Sequence, residues 1–176
     1  MYTSIDPAPA TSALLSGAPK PEVVSPERIS SLQTDLTNTQ LLLFERYRAM
    51  FALRNIGTAE AVDALASGFS DDSALFKYVV SPPHPHIMPY PDRHEIAFIF
   101  GQMLSPHSIP SLVQVLQNTS ESAMVRHEAA EALGGIATPE VLPHLKEWMV
   151  RDDAPRVVRE SCQVAIDMWE VRFLFS

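Results

Sequence analysis

The sequence predicts an all-α protein built from stacked helical hairpins, an architecture known as an α-solenoid. The 176 residues include only 6 glycines against 15 prolines, which is typical of helices separated by sharp stops. Apolar residues recur at helical spacing along most of the chain. An arginine also returns with a period of 33 residues, from Arg93 to Arg126 and from Arg126 to Arg159. Such a period indicates repeated structural units.

A proline-rich segment comes first in the chain. We expect residues 1–25 to form a flexible tether, because prolines alternate there with Ser, Thr and Ala and favour extended, solvated backbone. The repeat domain is expected over residues 26–176. Ser25 and Pro26 predict a helix start, with a serine N-cap and a proline in the first turn. The apolar positions that follow at helical spacing are Ile29, Leu32 and Leu36.

The next predicted helix runs from about Gln40 to Asn55 and stops at Gly57. A turn then leads to a second helix over 61–69, which completes one hairpin. The apolar residues of the longer helix are expected to face the core. These residues are Leu43, Tyr47, Met50, Phe51 and Leu53.

Two further hairpins follow at the period of the arginines. Their first helices begin near Arg93 and Arg126, and their second helices are predicted over 108–117 and 139–150. A terminal helix is expected over 157–170. Two antiparallel helices per 30-odd residues are typical of a HEAT-like solenoid, here with three hairpins plus that terminal helix.

One segment breaks the period. The step from Arg46 to Arg93 is 47 residues, and the surplus lies in the insert at 77–92, which contains five prolines. This composition predicts an irregular loop, because proline breaks helices. The codons flanking the insert can be written as an intron donor and acceptor. We therefore hypothesise that the insert derives from a retained, in-frame intron.

Composition and charge exclude several classes of function. The formal charge of −8 argues against a nucleic-acid-binding surface and suits a basic partner. A single cysteine, Cys162, excludes an intramolecular disulfide and a cysteine-based zinc site. No apolar run reaches the roughly 20 residues of a membrane span, and the N-terminus lacks signal-peptide features. We expect a cytoplasmic protein that binds neither membrane nor nucleic acid.

Two His-Glu pairs carry the candidate chemistry. His94-Glu95 and His127-Glu128 follow successive repeat arginines, so stacking should direct both pairs to one groove. Two imidazoles and a carboxylate suit a non-haem Fe(II) centre, and the same ligands suit zinc. The alternative is a pair of solvated dipeptides in a non-catalytic HEAT-repeat module that binds a partner on its concave face.

The motifs around these pairs resemble those of a known enzyme family. The blocks over 43–55 and 124–134, together with the segments that begin at Arg93 and Val157, resemble the deoxyhypusine hydroxylases, especially fungal ones. The resemblance implies an iron-dependent monooxygenase that uses a di-iron centre and O2 to complete hypusine on a translation initiation factor. It also implies that the chain is the C-terminal half of an enzyme with two similar halves.

The resemblance implies roles for individual residues as well. His94, His127 and Glu128 would bind one iron of the pair. Glu95 would either join them as a ligand or hold the amine of the substrate.

Two more residues receive a substrate-binding role from the resemblance. Gly101 would leave room for the substrate chain, and Met124 would line the pocket near the metal. The implied partners are the deoxyhypusine-containing factor and either a missing N-terminal half or a second copy of this chain.

The remaining notable side chains receive a structural interpretation. Arg126 and Arg159 are expected to connect neighbouring hairpins. Cys162 lies on an apolar helix face and is expected to pack in the core. His107 and His144 are expected at the surface.

Overall fold

The computed structural model describes residues 24–70 and 92–174, and these ranges form eight α-helices without a β-strand. The predicted tether and the insert at 77–92 therefore lie almost entirely outside the described residues and stay predictions. The helices are α1 (Pro26–Thr37), α2 (Leu43–Ile56), α3 (Ala59–Ala66), α4 (Asp92–Met103), α5 (Ile109–Gln117), α6 (Ala123–Ile136), α7 (Leu142–Met149) and α8 (Arg156–Leu174).

The helices form the predicted solenoid of hairpins. In chain order the helices follow the predicted scheme of α2–α3, α4–α5 and α6–α7 with α8 as the terminal helix. Among helices that are neighbours in sequence, the most extensive packing joins α1 to α2, α5 to α6 and α7 to α8. This arrangement confirms the all-α, HEAT-like fold class. Short 3-10 turns, Pro106–Ser108 and Pro139–Val141, lead into α5 and α7, where a proline in the first turn costs no hydrogen bond. In the described part of the chain, no helix combines the length and apolarity needed to cross a membrane.

Local sequence signals fix the helix ends. Three helices begin with a hydroxyl that accepts a backbone N–H of the first turn, a contact that stabilises a helix by about 1 kcal/mol. Two helices end at a residue with left-handed backbone conformation, α2 at Gly57 with φ 67° and α6 at Ala137 with φ 55°. The hydroxyl caps are Ser25, Thr58 and Ser122.

The first helices of successive hairpins pack closely through glycine. A Cβ placed on Gly101 in α4 would lie 3.5 Å from the Cα and Cβ of Ala132 in α6, an ordinary contact. A Cβ on Gly134 in α6 would lie only 2.6 Å from the Cα and Cβ of Ala165 in α8. The α6–α8 approach is therefore possible only because residue 134 has no side chain.

Buried arginines connect the hairpins, as predicted for Arg126. Its Nε donates to the carbonyl of Leu116 at 2.9 Å, and its guanidinium stacks at 4.4 Å from the centre of the Trp148 ring. Arg46 makes the equivalent hydrogen bond, in which its Nε donates to the carbonyl of Leu36 at 2.7 Å. Each arginine thus satisfies a carbonyl in the last turn of the helix before it.

Arg159 and Arg93 stand at the same repeat position but use other partners. Nη1 of Arg159 lies 3.5 Å and 3.4 Å from the carbonyl oxygens of Arg151 and Asp152, so the expected connection is present but longer. Nε of Arg93 lies 3.0 Å from a carboxylate oxygen of Glu121. The repeat arginine therefore contacts a neighbouring helix or loop in all four copies, whereas its acceptor varies.

The expected inward face of α2 was partly wrong. Met50 and Leu53 are buried, but Leu43 and Phe51 expose 42% and 39% of their surface. The buried stripe of this helix includes Arg46, which takes a position that hydrophobicity alone assigns to an apolar residue. The true stripe is therefore rotated away from Leu43 and Phe51.

Cys162 packs in the core, as expected. It is fully buried on α8, and burial raises the pKa of its thiol to about 12. Because the thiolate is the reactive form, this cysteine is inert at neutral pH.

Candidate metal centre

The stacking of α4 on α6 brings the two His-Glu pairs together. His94 lies on α4, and His127 and Glu128 lie on α6. The centres of the two imidazole rings are 6.5 Å apart, and the ring planes differ by 31°. The repeat period had predicted this convergence, since equivalent positions of stacked first helices face the same groove.

The carboxylate of Glu128 lies between the two rings. Its Oε1 is 3.0 Å from Nε2 of His94 and 3.1 Å from Nε2 of His127. One ligand atom from each of the three residues lies within 4.8 Å of the others. The three side chains are 13–19% exposed, so the cluster opens toward solvent without being immersed in it.

The electrostatics of this cluster are those of a shared charge network. Burial alone would lower the pKa of His94, but the hydrogen bond to Glu128 and the nearby negative charges outweigh burial and raise the pKa to about 9. Burial favours protonation of Glu128, yet hydrogen bonds from His127 and His94 lower its pKa to about 2. The hydrogen bond to Glu128, opposed by burial, also raises the pKa of His127. Without a cation, His94 is therefore protonated at neutral pH, and both imidazoles lie within hydrogen-bond distance of one carboxylate oxygen.

The outer side of the His127 ring has its own partners. Its Nδ1 lies 2.7 Å from the hydroxyl of Ser161 on α8 and 3.2 Å from a carboxylate oxygen of Glu131, one turn along α6. Ser161 is buried, whereas the Glu131 side chain is 42% exposed. Metal-binding histidines commonly have such a partner on the second nitrogen, which fixes the tautomer and the ring orientation.

The other predicted site residues, Glu95, Met124 and Gly101, are not members of this cluster. A carboxylate oxygen of Glu95 lies 3.7 Å from Nδ1 of His94, too far for a hydrogen bond, and Glu95 stays outside the convergent group. Met124 is 43% exposed in the first turn of α6. Gly101 lies two turns beyond His94 on α4 and faces Ala132.

Sequence reasoning did not single out Ser161, whose hydroxyl contacts His127. Ser161 follows Arg159 and Glu160, where two earlier repeats have Arg-His-Glu. The signal was its register, because Ser161 stands 33 residues after Glu128 and 66 after Glu95. A polar residue at that position faces the same groove as the His-Glu pairs.

The donor set suits a divalent transition metal. Two imidazole nitrogens and one carboxylate oxygen leave other coordination positions open, as in non-haem Fe(II) centres that activate dioxygen. Zinc accepts the same ligands. A cation at this position would replace the protons that the two Nε2 atoms now share with Glu128.

The fold and the cluster define a HEAT-repeat protein with a candidate metal centre. Residues 88–167 match the profile of HEAT repeats, and residues 45–71 match the profile of the PBS lyase HEAT-like repeat. Both matches agree with the hairpins described above.

Individual relatives narrow this class. A deoxyhypusine hydroxylase of Lentinula edodes is 67% identical over 97% of this chain and 47% of its own length. One of Schizosaccharomyces pombe is 50% identical over 97% of this chain and 46% of its own length. The structure of human deoxyhypusine hydroxylase in complex with glycerol matches with a TM-score of 0.68 at 42% identity, covering 97% of this chain and 48% of that one.

The chain belongs to the deoxyhypusine hydroxylase family, which confirms the resemblance seen in its motifs. It spans about half the length of the curated relatives that it matches.

Proposed function

We propose that the chain supplies one iron site of a deoxyhypusine monooxygenase. The observation that carries the proposal is the convergence of His94, His127 and Glu128 from two neighbouring repeats, with 3.0 Å and 3.1 Å between the carboxylate oxygen and the two Nε2 atoms. The kinship with deoxyhypusine hydroxylases supports the same assignment. That this half is the C-terminal one stays a prediction.

The proposed ligands are His94, His127 and Glu128, and the bound iron would supply the activation of O2. The reaction replaces a C–H bond of the deoxyhypusine side chain by C–OH. The second oxygen atom leaves as water, so an external reductant must provide two electrons. Each protein ligand must be deprotonated to bind the metal, which sets the protonation state that the loaded site requires.

The substrate is a long amine that is cationic at neutral pH, and the chain offers negative charge to receive it. Glu95 lies beside His94 without entering the convergent group, which favours its role as the carboxylate that holds the substrate amine. The chain's net charge of −8 would also attract a basic loop of the translation initiation factor.

Met124 and Gly101 are proposed to line the path of the substrate. Met124 lies one turn before His127 and exposes 43% of its surface, so its side chain is accessible to a ligand. A Cβ at Gly101 would make only ordinary contact with Ala132. An alanine there is therefore compatible with the fold, and a loss of turnover in Gly101→Ala would point to the substrate.

A complete di-iron centre needs a second set of ligands. We propose that an N-terminal half or a second copy of this chain provides it, since the relatives are about twice as long as this chain. The two possibilities differ in oligomeric state. A chain that stays monomeric at high concentration contradicts the second copy. The assembled enzyme is proposed to act in the cytoplasm.

The test measures iron per chain on protein of known oligomeric mass, loaded anaerobically with Fe²⁺. We expect one iron per chain, lost in His94→Ala and His127→Ala. The control is His107→Ala, because His107 is exposed and lies outside the cluster. Circular dichroism should report equal helicity in all four proteins.

The activity arm mixes the iron-loaded chain with deoxyhypusine-bearing factor, O2 and a reductant, and follows the mass of the factor. A gain of one oxygen atom supports the monooxygenase. A well-folded chain that binds no iron contradicts the proposal. If that metal-free chain still binds a partner, and the two histidine variants bind it equally, the non-catalytic interaction module is supported instead.

A further inference from the structure

We propose that Ser161 is a positioning residue that fixes the ring of His127 for metal binding. The inference rests on the proposed function, because the orientation of this imidazole matters where its Nε2 binds a metal. Ser161 lies on α8, one repeat beyond the helices that carry the three candidate ligands. It is not a member of the convergent ligand group.

The two ring nitrogens of His127 are held from opposite sides. Nδ1 lies 2.7 Å from the hydroxyl oxygen of Ser161, and Nε2 lies 3.1 Å from Oε1 of Glu128. An imidazole that binds a metal through Nε2 carries its remaining proton on Nδ1 and donates it to an outer partner. The hydroxyl of Ser161 is placed to accept that proton. Rotation of the ring would break both contacts.

Glu131 is the other group near Nδ1, and its geometry makes it the weaker support. Its carboxylate oxygen lies 3.2 Å from Nδ1, and its side chain is 42% exposed. A carboxylate in that position can swing into solvent. Ser161 makes the shorter contact and is 5% exposed, so its hydroxyl has little freedom to leave the ring.

The packing of α8 on α6 sets the position of Ser161. Ala165 lies one turn beyond Ser161 on α8 and contacts Gly134, which lies two turns beyond His127 on α6. Because a Cβ at Gly134 would lie 2.6 Å from Ala165, the two helices are close there. A short side chain such as serine can therefore reach the ring from the neighbouring helix.

The experiment measures the affinity of the full chain for Zn²⁺ alone by calorimetry. We expect Ser161→Ala to weaken binding by about 10–100-fold, as for other outer-shell partners of metal ligands. The matched control is Ser108→Ala. Ser108 is also buried, and its hydroxyl donates to the carbonyl of Ser105 at 2.7 Å, outside the candidate metal centre. That control should keep the affinity of the unaltered chain.

A second pair of variants separates the hydroxyl from the bulk of the side chain. Ser161→Thr and Ser161→Val add side chains of nearly equal size, and only threonine keeps the hydroxyl. We expect the threonine variant to bind Zn²⁺ more tightly than the valine variant. Equal affinities in this pair, together with an unchanged Ser161→Ala, overturn the proposal.

Nuclear magnetic resonance of the ¹⁵N-labelled ring supplies a readout that a purely structural role would not move. The Nδ1 signal of His127 should change in Ser161→Ala and stay unchanged in Ser108→Ala. A larger loss of affinity in Glu131→Gln than in Ser161→Ala overturns the proposal. If the unaltered chain binds neither Zn²⁺ nor Fe²⁺, the proposed function fails. The Nδ1 signal of His127 in the metal-free chain then tests the role of Ser161 by itself. A changed signal in Ser161→Ala supports that role, and an unchanged signal overturns it.

Discussion

The helices pack in a similar way at the α4–α6 and α6–α8 contacts, but the polar side chains that meet there differ in chemistry. In each, a glycine of one first helix faces an alanine 31 residues later, Gly101 with Ala132 and Gly134 with Ala165. The α4–α6 contact joins the candidate ligands of both helices, because Glu128 contacts both His94 and His127. The α6–α8 contact joins His127 to the neutral hydroxyl of Ser161.

The comparison shows that the repeat sets how the helices pack, whereas the residues at its variable positions set the chemistry of each contact. Repetition gives each pair of first helices a similar relative placement, so equivalent residues meet in the same way. The two residues after the repeat arginine then decide the chemistry. In two repeats these residues are histidine and glutamate, which form the candidate metal centre. In the third they are Glu160, which pairs with Arg156, and Ser161, which contacts His127.

The largest effect is expected from removing the negative charge of Glu128, which lies between the two histidines at the α4–α6 contact. Glu128→Gln should weaken the binding of Fe²⁺ or Zn²⁺ by more than the roughly 10–100-fold typical of an outer-shell change, because the only anionic residue of the convergent group is lost. Calorimetry on the full chain measures this loss. Glu131→Gln is the matched control and should cost less. Comparable losses in the two variants would contradict the ligand assignment.

The next largest effect is expected on stability, because α6 and α8 approach each other more closely than α4 and α6 do. Gly134→Ala should lower the free energy of unfolding by about 1–3 kcal/mol, since the new Cβ would lie 2.6 Å from Ala165 and force α6 and α8 apart. Gly101→Ala should stay within about 1 kcal/mol of the unaltered chain, because its Cβ finds an ordinary contact and alanine favours helix. Urea unfolding compares them. Equal destabilisation would mean that the contacts are equally tight.

A smaller effect is expected from pH. The raised pKa of His94, about 9, means that metal binding at neutral pH must displace a proton. Affinity should rise by up to about tenfold per pH unit and level off above that pKa, if the metal stays soluble. Calorimetry in buffers of different ionisation enthalpy counts the released protons. Binding without proton release would contradict the shared network.

The same network predicts the pH dependence of stability in the metal-free chain. The contribution of His94 is complete below its ordinary pKa of 6.5 and is lost as pH rises through about 9. The contribution of Glu128 is complete above its ordinary pKa of 4.5 and is lost as pH falls through about 2. The network therefore stabilises the fold most between pH 4.5 and 6.5. Unfolding midpoints measured across pH test this window.

The smallest effect on stability is expected outside both contacts. Met124→Ala should change the free energy of unfolding by less than about 0.5 kcal/mol, because Met124 is 43% exposed at the start of α6. Metal affinity should also stay constant. If Met124 lines the substrate path, KM of the assembled enzyme rises while the metal-bound chain keeps its stability. An unchanged KM would remove this residue from the substrate path.

Much of the fold could be predicted because the decisive signals are local. Ser25 followed by Pro26 marks a helix start, and Gly57 marks a helix end. The convergence of His94 with His127 followed from the repeat period, since stacking places equivalent positions together. The placement of Leu43 and Phe51 failed, because Arg46 occupies a buried position that no hydrophobicity pattern assigns to arginine.

The contact between Ser161 and His127 could be found only from the structure. The contact of Ser161 with His127 depends on the distance between α6 and α8, which is set by Gly134 against Ala165. A single glycine in a sequence does not reveal what it faces. Ser161 differs in type from Glu95 and Glu128 at the same register, so the motif that pointed to the candidate ligands could not point to Ser161.

The hydrogen bond between Ser161 and His127 crosses a boundary between repeats. If His127 binds a metal, this hydrogen bond links metal occupancy to the opening of that boundary. In such folds each boundary opens and closes largely as a nearest-neighbour equilibrium. A cation that binds more tightly when this boundary is closed must by reciprocity hold it closed. Amide protons of α8, a helix that contributes none of the three convergent ligands, would then exchange more slowly when the metal is bound.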